Sequence, residues 1–190
     1  MTLRIAIIIT LQTLALVAMV AMKQWTLSTG TPILLETRPI DPRSLFRGDY
    51  VRLNYTIGRL KLKELAGDDD FNKHDPIHVV LEKKEKYWRP ISVHLKRPDI
   101  SAQQVAIKGK VKYVRNSFWN RETRKSEKTK VANVRYGIEN YFVPEGEGMA
   151  LERPRRGEKV DIQVAVDNRG NAGIKGVLVN DKLRYIEKLL

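Results

Sequence analysis

An uninterrupted apolar segment from Ile5 to Met22 constrains the fold of this chain more than any other feature. A helix of about 18 residues spans about 27 Å, close to the hydrocarbon thickness of a bilayer. The segment has no charged residue, and its polar members are Thr10, Gln12 and Thr13. It predicts a transmembrane helix, with residues 1–27 forming a membrane anchor and residues 28–190 forming a soluble domain.

A cleaved signal peptide is the alternative interpretation of the same segment. Signal peptides have apolar cores of about 7–15 residues and end in an A-x-A-like cleavage site. The core here is longer, and cleavage after Ala21 would put the bulky Met19 at the −3 position. The segment therefore favours an anchor that stays attached and lies in the lipid bilayer through residues 5–22.

The flanking residues indicate the orientation of the helix. Arg4 and the α-amine precede the span and Lys23 follows it, so the positive-inside rule favours a cytoplasmic N-terminus. Trp25 lies where interfacial aromatic residues are common. The chain has no cysteine, which excludes disulfides and thiolate chemistry and fits a periplasmic domain. We expect a single-pass protein of a bacterial inner membrane, with its soluble domain facing the periplasm or exterior.

Beyond the anchor, short segments of alternating apolar and polar residues predict antiparallel β-strands. Turn residues separate them, as at Asp167–Asn171 and Asn180–Asp181. Ser28–Pro32 is expected to be a linker, and Thr56–Ala66 a short helix or irregular turn. The predicted fold is mainly β, an antiparallel sandwich or partly open barrel. The predicted strands are Ile33–Glu36, Asp49–Tyr55, Ile77–Glu82, Tyr87–Leu95, Val105–Val114, Val131–Tyr141, Lys159–Val166, Ala172–Val179 and Leu183–Glu187.

The formal net charge of +13 favours anionic partners. The segment from Arg115 to Lys130 combines basic residues with two large aromatic side chains, a mixture typical of surfaces that contact a protein partner or lipid headgroups. Nucleic acid is not expected as a partner, because the domain is predicted to lie outside the cytoplasm. A long hairpin loop whose aromatic side chains pack onto the sheet is the alternative. The residues expected to make the contact are Phe118, Trp119, Arg121, Arg124 and Lys125.

Few residues suggest catalysis. Ser44 would need a desolvated lysine within reach to act as the nucleophile of a serine–lysine hydrolase. Glu145 and Glu147 lie in a carboxylate-rich turn and would need two different environments to act as an acid and a base. The acidic segment 68–79 begins like an EF-hand loop but has Lys73 at the glycine position. We therefore expect no metal and no cofactor, and a membrane-tethered hydrolase stays an alternative to a non-enzymatic protein.

Two segments resemble the signatures of a known protein family. Gly48–Tyr55 matches every specified position of the GDYXXLXY pattern, and Tyr136–Gly148 resembles the second signature of the same family. Asp41–Arg47, Ala165–Asp167 and Ala172–Gly176 are also similar to it. The resemblance to the GDYXXLXY family covers most of the chain beyond the anchor. The signature positions are Gly48, Asp49, Tyr50, Leu53, Tyr55, Glu139, Tyr141, Pro144, Glu145 and Gly146.

This resemblance implies a limited set of properties. Members of the family are described as bacterial, membrane-anchored and of uncharacterised function, and are often encoded beside a multi-pass membrane protein. The resemblance therefore implies an interaction or accessory subunit of a membrane complex, and it supplies no catalytic residues. Binding of an anionic lipid or polymer is the second alternative. Alternation along the first signature suits Leu53 and Tyr55 to a core and Tyr50 to the opposite face.

We predict that the native polypeptide keeps its apolar segment. Mass analysis of protein purified from membranes should find a start upstream of Ile5. Sodium carbonate washing should leave the protein in the membrane pellet, because a spanning helix is held by apolar burial rather than by surface charge. A native N-terminus at or beyond Lys23, or release by carbonate, would contradict the anchor.

Overall fold

The computed structural model describes residues 2–38, 50–120, 125–142 and 158–186. Helix α1 covers Thr2–Thr29 and is followed by β-strands, so the fold is mainly β with one N-terminal helix in this part of the chain, as predicted. In chain order the strands are β1 Thr31–Arg38, β2 Tyr50–Arg52, β3 Asn54–Tyr55, β4 Arg59–Lys61, β5 Ala66–Gly67, β6 Pro76–Lys84, β7 Tyr87–His94, β8 Gln104–Arg115, β9 Phe118–Asn120, β10 Lys125–Glu127, β11 Val131–Arg135, β12 Asn140–Phe142, β13 Val160–Val166, β14 Ala172–Val179 and β15 Lys182–Ile186.

Helix α1 is long and apolar enough to cross a membrane. Its segment Arg4–Thr29 has 26 residues and a mean hydropathy of 2.4, and its apolar stretch is not buried against the rest of the protein. Thr10 Oγ1 donates to Ala6 O and Thr13 Oγ1 donates to Ile9 O, both at 2.9 Å, so both hydroxyls are satisfied within the helix. Such a helix is compatible with a single-pass membrane anchor or a signal sequence.

The connection between α1 and the β domain differs from the linker predicted over residues 28–32. Ser28 and Thr29 continue the helix, and β1 begins at Thr31, so Gly30 alone joins the two elements. The hydroxyls of Ser28 and Thr29 donate to a carbonyl oxygen of the preceding helical turn. The Ser and Thr content suggests a flexible link, but packing of the last helical turn on the β domain extends the helix instead.

Two sheets form the body of the β domain. The five-stranded sheet has the order β15–β14–β13–β1–β3, and the six-stranded sheet has the order β4–β11–β8–β6–β7–β5. Pairing is antiparallel except between the short β5 and β7, which are parallel. Strand β1 pairs with β13 along residues 31–36 and with β3 at residues 37–38, so it lies inside its sheet. Two further strand pairs are β12–β2 and β10–β9.

The core draws on both sheets. Their buried apolar side chains form one cluster, which confirms the predicted class of packed antiparallel sheets. Because successive side chains of a strand point to opposite faces, the apolar alternation in the sequence determines which face of each sheet is buried. Fully buried members are Ile33, Leu35 and Ile162 in the five-stranded sheet and Ile77, Leu81 and Ile107 in the six-stranded sheet.

Three predicted elements are subdivided in the structure. The strand predicted over Asp49–Tyr55 is interrupted at Leu53, between β2 and β3. The strand predicted over Val131–Tyr141 ends at Arg135 and resumes at Asn140, with a turn around Gly137, whose φ is +82°. The segment Thr56–Ala66 is irregular, one of the two structures predicted for it. It contains two single-turn 3-10 helices on either side of β4.

Polar side chains link strands of the two sheets near the end of β1. Glu36 Oε2 of β1 and Arg89 Nη1 of β7 form an ion pair at 2.6 Å. The buried carboxylate of Asp161 accepts hydrogen bonds from Lys86 Nζ at 2.7 Å and from Tyr87 Oη at 3.0 Å. These bonds satisfy a side chain that would be strongly destabilising if it were buried without a partner.

A pair of histidines lies across β6 and β7. His78 is directly opposite His94 on one side and opposite Lys108 of β8 on the other. Its Nδ1 atom is buried and has no hydrogen-bond partner within the described part of the chain. Burial, together with the nearby Lys108 and Arg97 cations, lowers the pKa of His78.

We predict that acidification destabilises the domain through His78. An unfolded histidine binds a proton near its ordinary pKa of 6.5, whereas the folded His78 resists protonation, so unfolding takes up a proton below that pH. Stability should therefore fall as pH decreases from neutral towards about pH 5.

Thermal denaturation followed by circular dichroism should show a weaker pH dependence for His78→Gln than for the wild type. The exposed His74→Asn serves as the control and should keep the wild-type slope. Equal slopes for the wild type and His78→Gln would contradict this role of His78.

Candidate functional site

The two signature segments of the sequence meet in the folded protein. Strands β2 and β12 pair, with Arg52 opposite Asn140. The Leu53 N–H donates to the Glu139 carbonyl oxygen at 2.7 Å and continues the pairing beyond the ends of these strands. The first and second signatures therefore form one two-stranded unit.

Two buried tyrosines hold this unit to the β domain. Tyr55 Oη donates to the Ile138 carbonyl oxygen at 2.7 Å. Tyr136 Oη, in the second signature, donates to the Ile57 carbonyl oxygen, just after the first signature, at 2.8 Å. Burial, and then the charge of Glu139, raises the pKa of both phenols. Both tyrosines therefore stay protonated at neutral pH and act as hydrogen-bond donors to the backbone.

The Glu139 carboxylate closes the turn of the second signature. Its oxygens accept hydrogen bonds from the N–H of Tyr136 at 2.6 Å and of Gly137 at 3.1 Å. The left-handed backbone of Gly137 favours glycine at this position. A carboxylate bound to backbone N–H groups in this way positions the chain, so Glu139 has a structural role. The signature members buried in the core are Leu53, Tyr55 and Tyr141.

The remaining candidate residues fall into two groups. Tyr50 lies in β2, Phe118 and Trp119 lie in β9, and Lys125 lies in β10. Strands β9 and β10 pair, so this segment forms a short hairpin. The candidates that lie outside the described residues are Ser44, Gly48, Asp49, Arg121, Arg124, Pro144, Glu145, Gly146 and Glu147.

Lys86 is held as a charged ammonium group. Its Nζ pairs with the buried Asp161 at 2.7 Å and also with Asp181. Burial alone would lower the pKa of Lys86, but the hydrogen bonds and ion pairs with both carboxylates outweigh burial and raise it. A serine–lysine hydrolase needs a lysine that loses its proton near neutral pH. Lys86 is therefore unsuited to activate a serine.

The junction between α1 and the β domain is the strongest candidate for a functional site. The hairpin between β13 and β14 turns at Asp167–Asn171, as predicted, and Asp167 is only 8% exposed. Thr26 Oγ1, in the last turns of α1, donates to Asp167 Oδ2 at 2.8 Å. This hydrogen bond ties the helix directly to the hairpin.

Four hydrogen bonds hold the Asp167 carboxylate. Oδ1 accepts from the backbone N–H groups of Arg169 and Asn171, both at 2.9 Å. Oδ2 accepts from Thr26 and, at 2.9 Å, from Asn171 Nδ2. Burial by itself would raise the pKa of Asp167, but these hydrogen bonds outweigh burial and lower it. Asp167 is therefore ionised at neutral pH and joins the helix and hairpin in one polar unit.

Close apolar packing accompanies this polar unit. Leu27 is 3% exposed, and a Cβ at Gly173 would lie 2.8 Å from Leu27 Cδ2. A Cβ at Gly30 would lie 2.5 Å from the Thr26 carbonyl oxygen and 2.9 Å from the Val166 nitrogen. Since both neighbours at Gly30 are backbone atoms, no side chain fits there. The helix thus enters the β domain at a fixed position.

An open cavity lies beside the junction. It has a volume of about 640 Å³ and is lined by residues from 21 to 26 of α1 and from 167 to 173 of the hairpin. Lys23 and Arg169 contribute positive charges to the lining, while Ala21 and Met22 contribute an apolar wall. An apolar wall with a few polar groups is typical of ligand-binding cavities.

Sequence patterns do not single out this junction. Thr26 and Asp167 are separated by 141 positions, and each resembles a residue with a purely local role, a hydroxyl in a helix and an aspartate in a turn. Their contact depends on the strand order that places β13 beside β1. The sequence feature that could have indicated this contact is a polar residue just after the apolar span, together with a predicted hairpin turn that contains an aspartate.

Comparison with known proteins identifies a family for most of the chain. Residues 12–177 match the family model described as GDYXXLXY protein. The comparison with curated proteins and the comparison with solved structures give no match. The family match includes both signatures, most of α1 and the hairpin of the junction.

We predict that Thr26→Val weakens the junction. The substitution keeps the shape of the side chain but removes the hydroxyl that donates to the ionised Asp167. A hydrogen bond to a charged group contributes about 1.5–3 kcal/mol, so we expect the free energy of unfolding to fall by about 2 kcal/mol. Urea denaturation in detergent micelles measures this change.

Thr29→Val is the matched control for this prediction. The Thr29 hydroxyl is exposed and bonds within α1, so its loss should change the free energy of unfolding by less than about 0.5 kcal/mol. Equal stability of the two variants would show that the bond to Asp167 does not stabilise the domain.

Proposed function

The chain belongs to the GDYXXLXY family, and from that premise we propose that it is a single-pass accessory subunit of a bacterial inner-membrane complex. Its β domain lies on the periplasmic or outer side of the membrane and docks on a multi-pass membrane protein. Its molecular activity is recognition of that partner, without chemical turnover.

The observation that carries this proposal is the rigid entry of α1 into the β domain. Gly30 alone separates helix from strand, and Thr26 and Leu27 are buried against the domain. An enzyme that acts on diffusing substrates can work from a flexible tether. Docking on a neighbouring membrane protein instead requires that the β domain holds its docking surface at a fixed distance from the membrane and in a fixed orientation. A fixed junction also reduces the conformational entropy that association removes.

The same burial supports an anchor that is not removed. A peptidase that cut after Leu27 would remove a buried core side chain and the hydroxyl donor to Asp167. The length of α1 suits a bilayer, and Arg4 before the span supports a cytoplasmic N-terminus.

Gln12 supports an interaction within the bilayer. Unlike the hydroxyls of Thr10 and Thr13, its carboxamide has no hydrogen-bond partner within the described part of the chain. An amide in hydrocarbon gains stability by bonding to a polar group of a neighbouring helix. A multi-pass membrane protein provides such helices next to α1.

Crosslinking followed by affinity purification of the full chain from membranes in mild detergent tests this proposal. We expect the wild type to recover a multi-pass membrane protein in stoichiometric amount. A Gly-Ser-Gly-Ser insertion between Thr29 and Gly30 should greatly reduce recovery, because it releases the β domain from its fixed orientation. The same insertion between the exposed Asp69 and Asp70 is the control and should leave recovery unchanged.

Circular dichroism of both insertion variants separates loss of docking from loss of the fold. Recovery of no stoichiometric membrane protein by the wild type would contradict the proposal. Equal recovery by a folded junction insertion and the wild type would contradict the role of the rigid junction.

A further inference from the structure

The cavity beside the junction lies at the height of the lipid headgroups when α1 spans the bilayer. The apolar stretch that ends at Met22 accounts for about 27 Å of helix, so Lys23 and the residues after it emerge at the interface. The Thr26–Asp167 hydrogen bond fixes the hairpin at the same height. The cavity therefore runs from the edge of the hydrocarbon at Ala21 to the headgroup region at Arg169.

The polar part of the cavity is suited to an anion. Arg169 is exposed, and its guanidinium has no hydrogen bond or ion pair with any other described residue. Lys23 adds a second positive charge to the lining. Asp167 is the one acidic residue among the described residues that line the cavity, and its oxygens are already bound to Thr26, Asn171 and the Arg169 N–H. The guanidinium of Arg169 is therefore the charged group that the cavity offers to a ligand.

The opposite part of the cavity is suited to a hydrocarbon chain. Ala21 and Met22 belong to the lipid-exposed end of α1, and Met22 is 61% exposed. Trp25, which is 64% exposed, lies where aromatic rings contact the carbonyl region of a bilayer. A ligand that matches both parts is amphipathic, with an anionic head and an apolar tail.

We propose that this cavity binds one anionic phospholipid of the surrounding bilayer. Its phosphate lies at Arg169 and Lys23, because guanidinium and ammonium groups are the preferred phosphate donors among side chains. An acyl chain lies along Ala21 and Met22. The volume of about 640 Å³ accommodates a headgroup and the beginning of its chains. The assignment rests on the proposed membrane anchor but not on the proposed protein partner.

Native mass spectrometry of the full chain tests this assignment. The protein is reconstituted into vesicles of equal parts phosphatidylglycerol and phosphatidylcholine, and its carbonate resistance is checked before mild detergent extraction. We expect the wild type to retain one phosphatidylglycerol in preference to phosphatidylcholine. Arg169→Gln should retain about fivefold less, the effect of one basic residue at a membrane surface.

Lys108→Gln is the charge-matched control. The backbone N–H of Lys108 donates to the Gly170 carbonyl oxygen at 2.8 Å, so this residue lies beside the hairpin, yet it is not among the residues that line the cavity. The Lys108→Gln variant should retain as much phosphatidylglycerol as the wild type. Wild-type retention by Arg169→Gln, equal loss by Lys108→Gln, or equal retention of the two lipids would each overturn the proposal. Release by carbonate would instead disprove the anchor.

Discussion

A buried, ionised carboxylate at the end of the helix is the interaction on which the rest of the arrangement depends. Asp167 orders its own hairpin by accepting hydrogen bonds from the backbone of Arg169 and Asn171, and it accepts a further bond from Thr26 of α1. One side chain thus fixes both a local turn and a contact between distant parts of the chain. Because a buried charge is stable only when its partners are present, the end of α1 is part of the folded domain rather than an appendage to it. Helix α1 and the β domain are therefore coupled through this carboxylate and through the buried Leu27 beside it.

The signature residues stabilise the backbone in a similar way. Tyr55 donates a hydrogen bond to the Ile138 carbonyl oxygen of the second signature, and Tyr136 donates to the Ile57 carbonyl oxygen just after the first. Glu139 accepts bonds from main-chain N–H groups. The side chains of these three residues therefore hold the backbone of the two signatures in place. A pattern of this kind identifies a fold that members of a family share. The binding site for a partner or ligand has to be sought on other surfaces of the protein. The junction, where charged groups and apolar surface lie side by side, is such a surface.

Local alternation of apolar residues predicts most of the strands, because the side-chain period of a strand is a property of neighbouring residues. The strand Ala172–Val179 has the predicted bounds, and the turn at Asn180–Asp181 is present with positive φ at both residues. Prediction is wrong where distant groups decide. The extension of α1 through Thr29 depends on packing against the hairpin. The break inside Val131–Tyr141 has a local cause, the turn that the Glu139 carboxylate closes with the N–H groups of Tyr136 and Gly137, and apolar alternation does not show it. The junction itself is beyond local patterns, since Thr26 and Asp167 meet only after the sheet has assembled.

The position of β1 determines how the β domain would bear mechanical load. The strand starts one residue after the helix and lies between β13 and β3, with residues 31–36 paired to β13. Tension applied between α1 and the β domain would pull β1 along its own axis, so the hydrogen bonds of the ladder would be sheared together rather than opened one after another. A ladder loaded in shear resists extension far better than one that is unzipped from its end. Helix α1 would therefore be pulled away from the β domain only by shearing the whole ladder between β1 and β13.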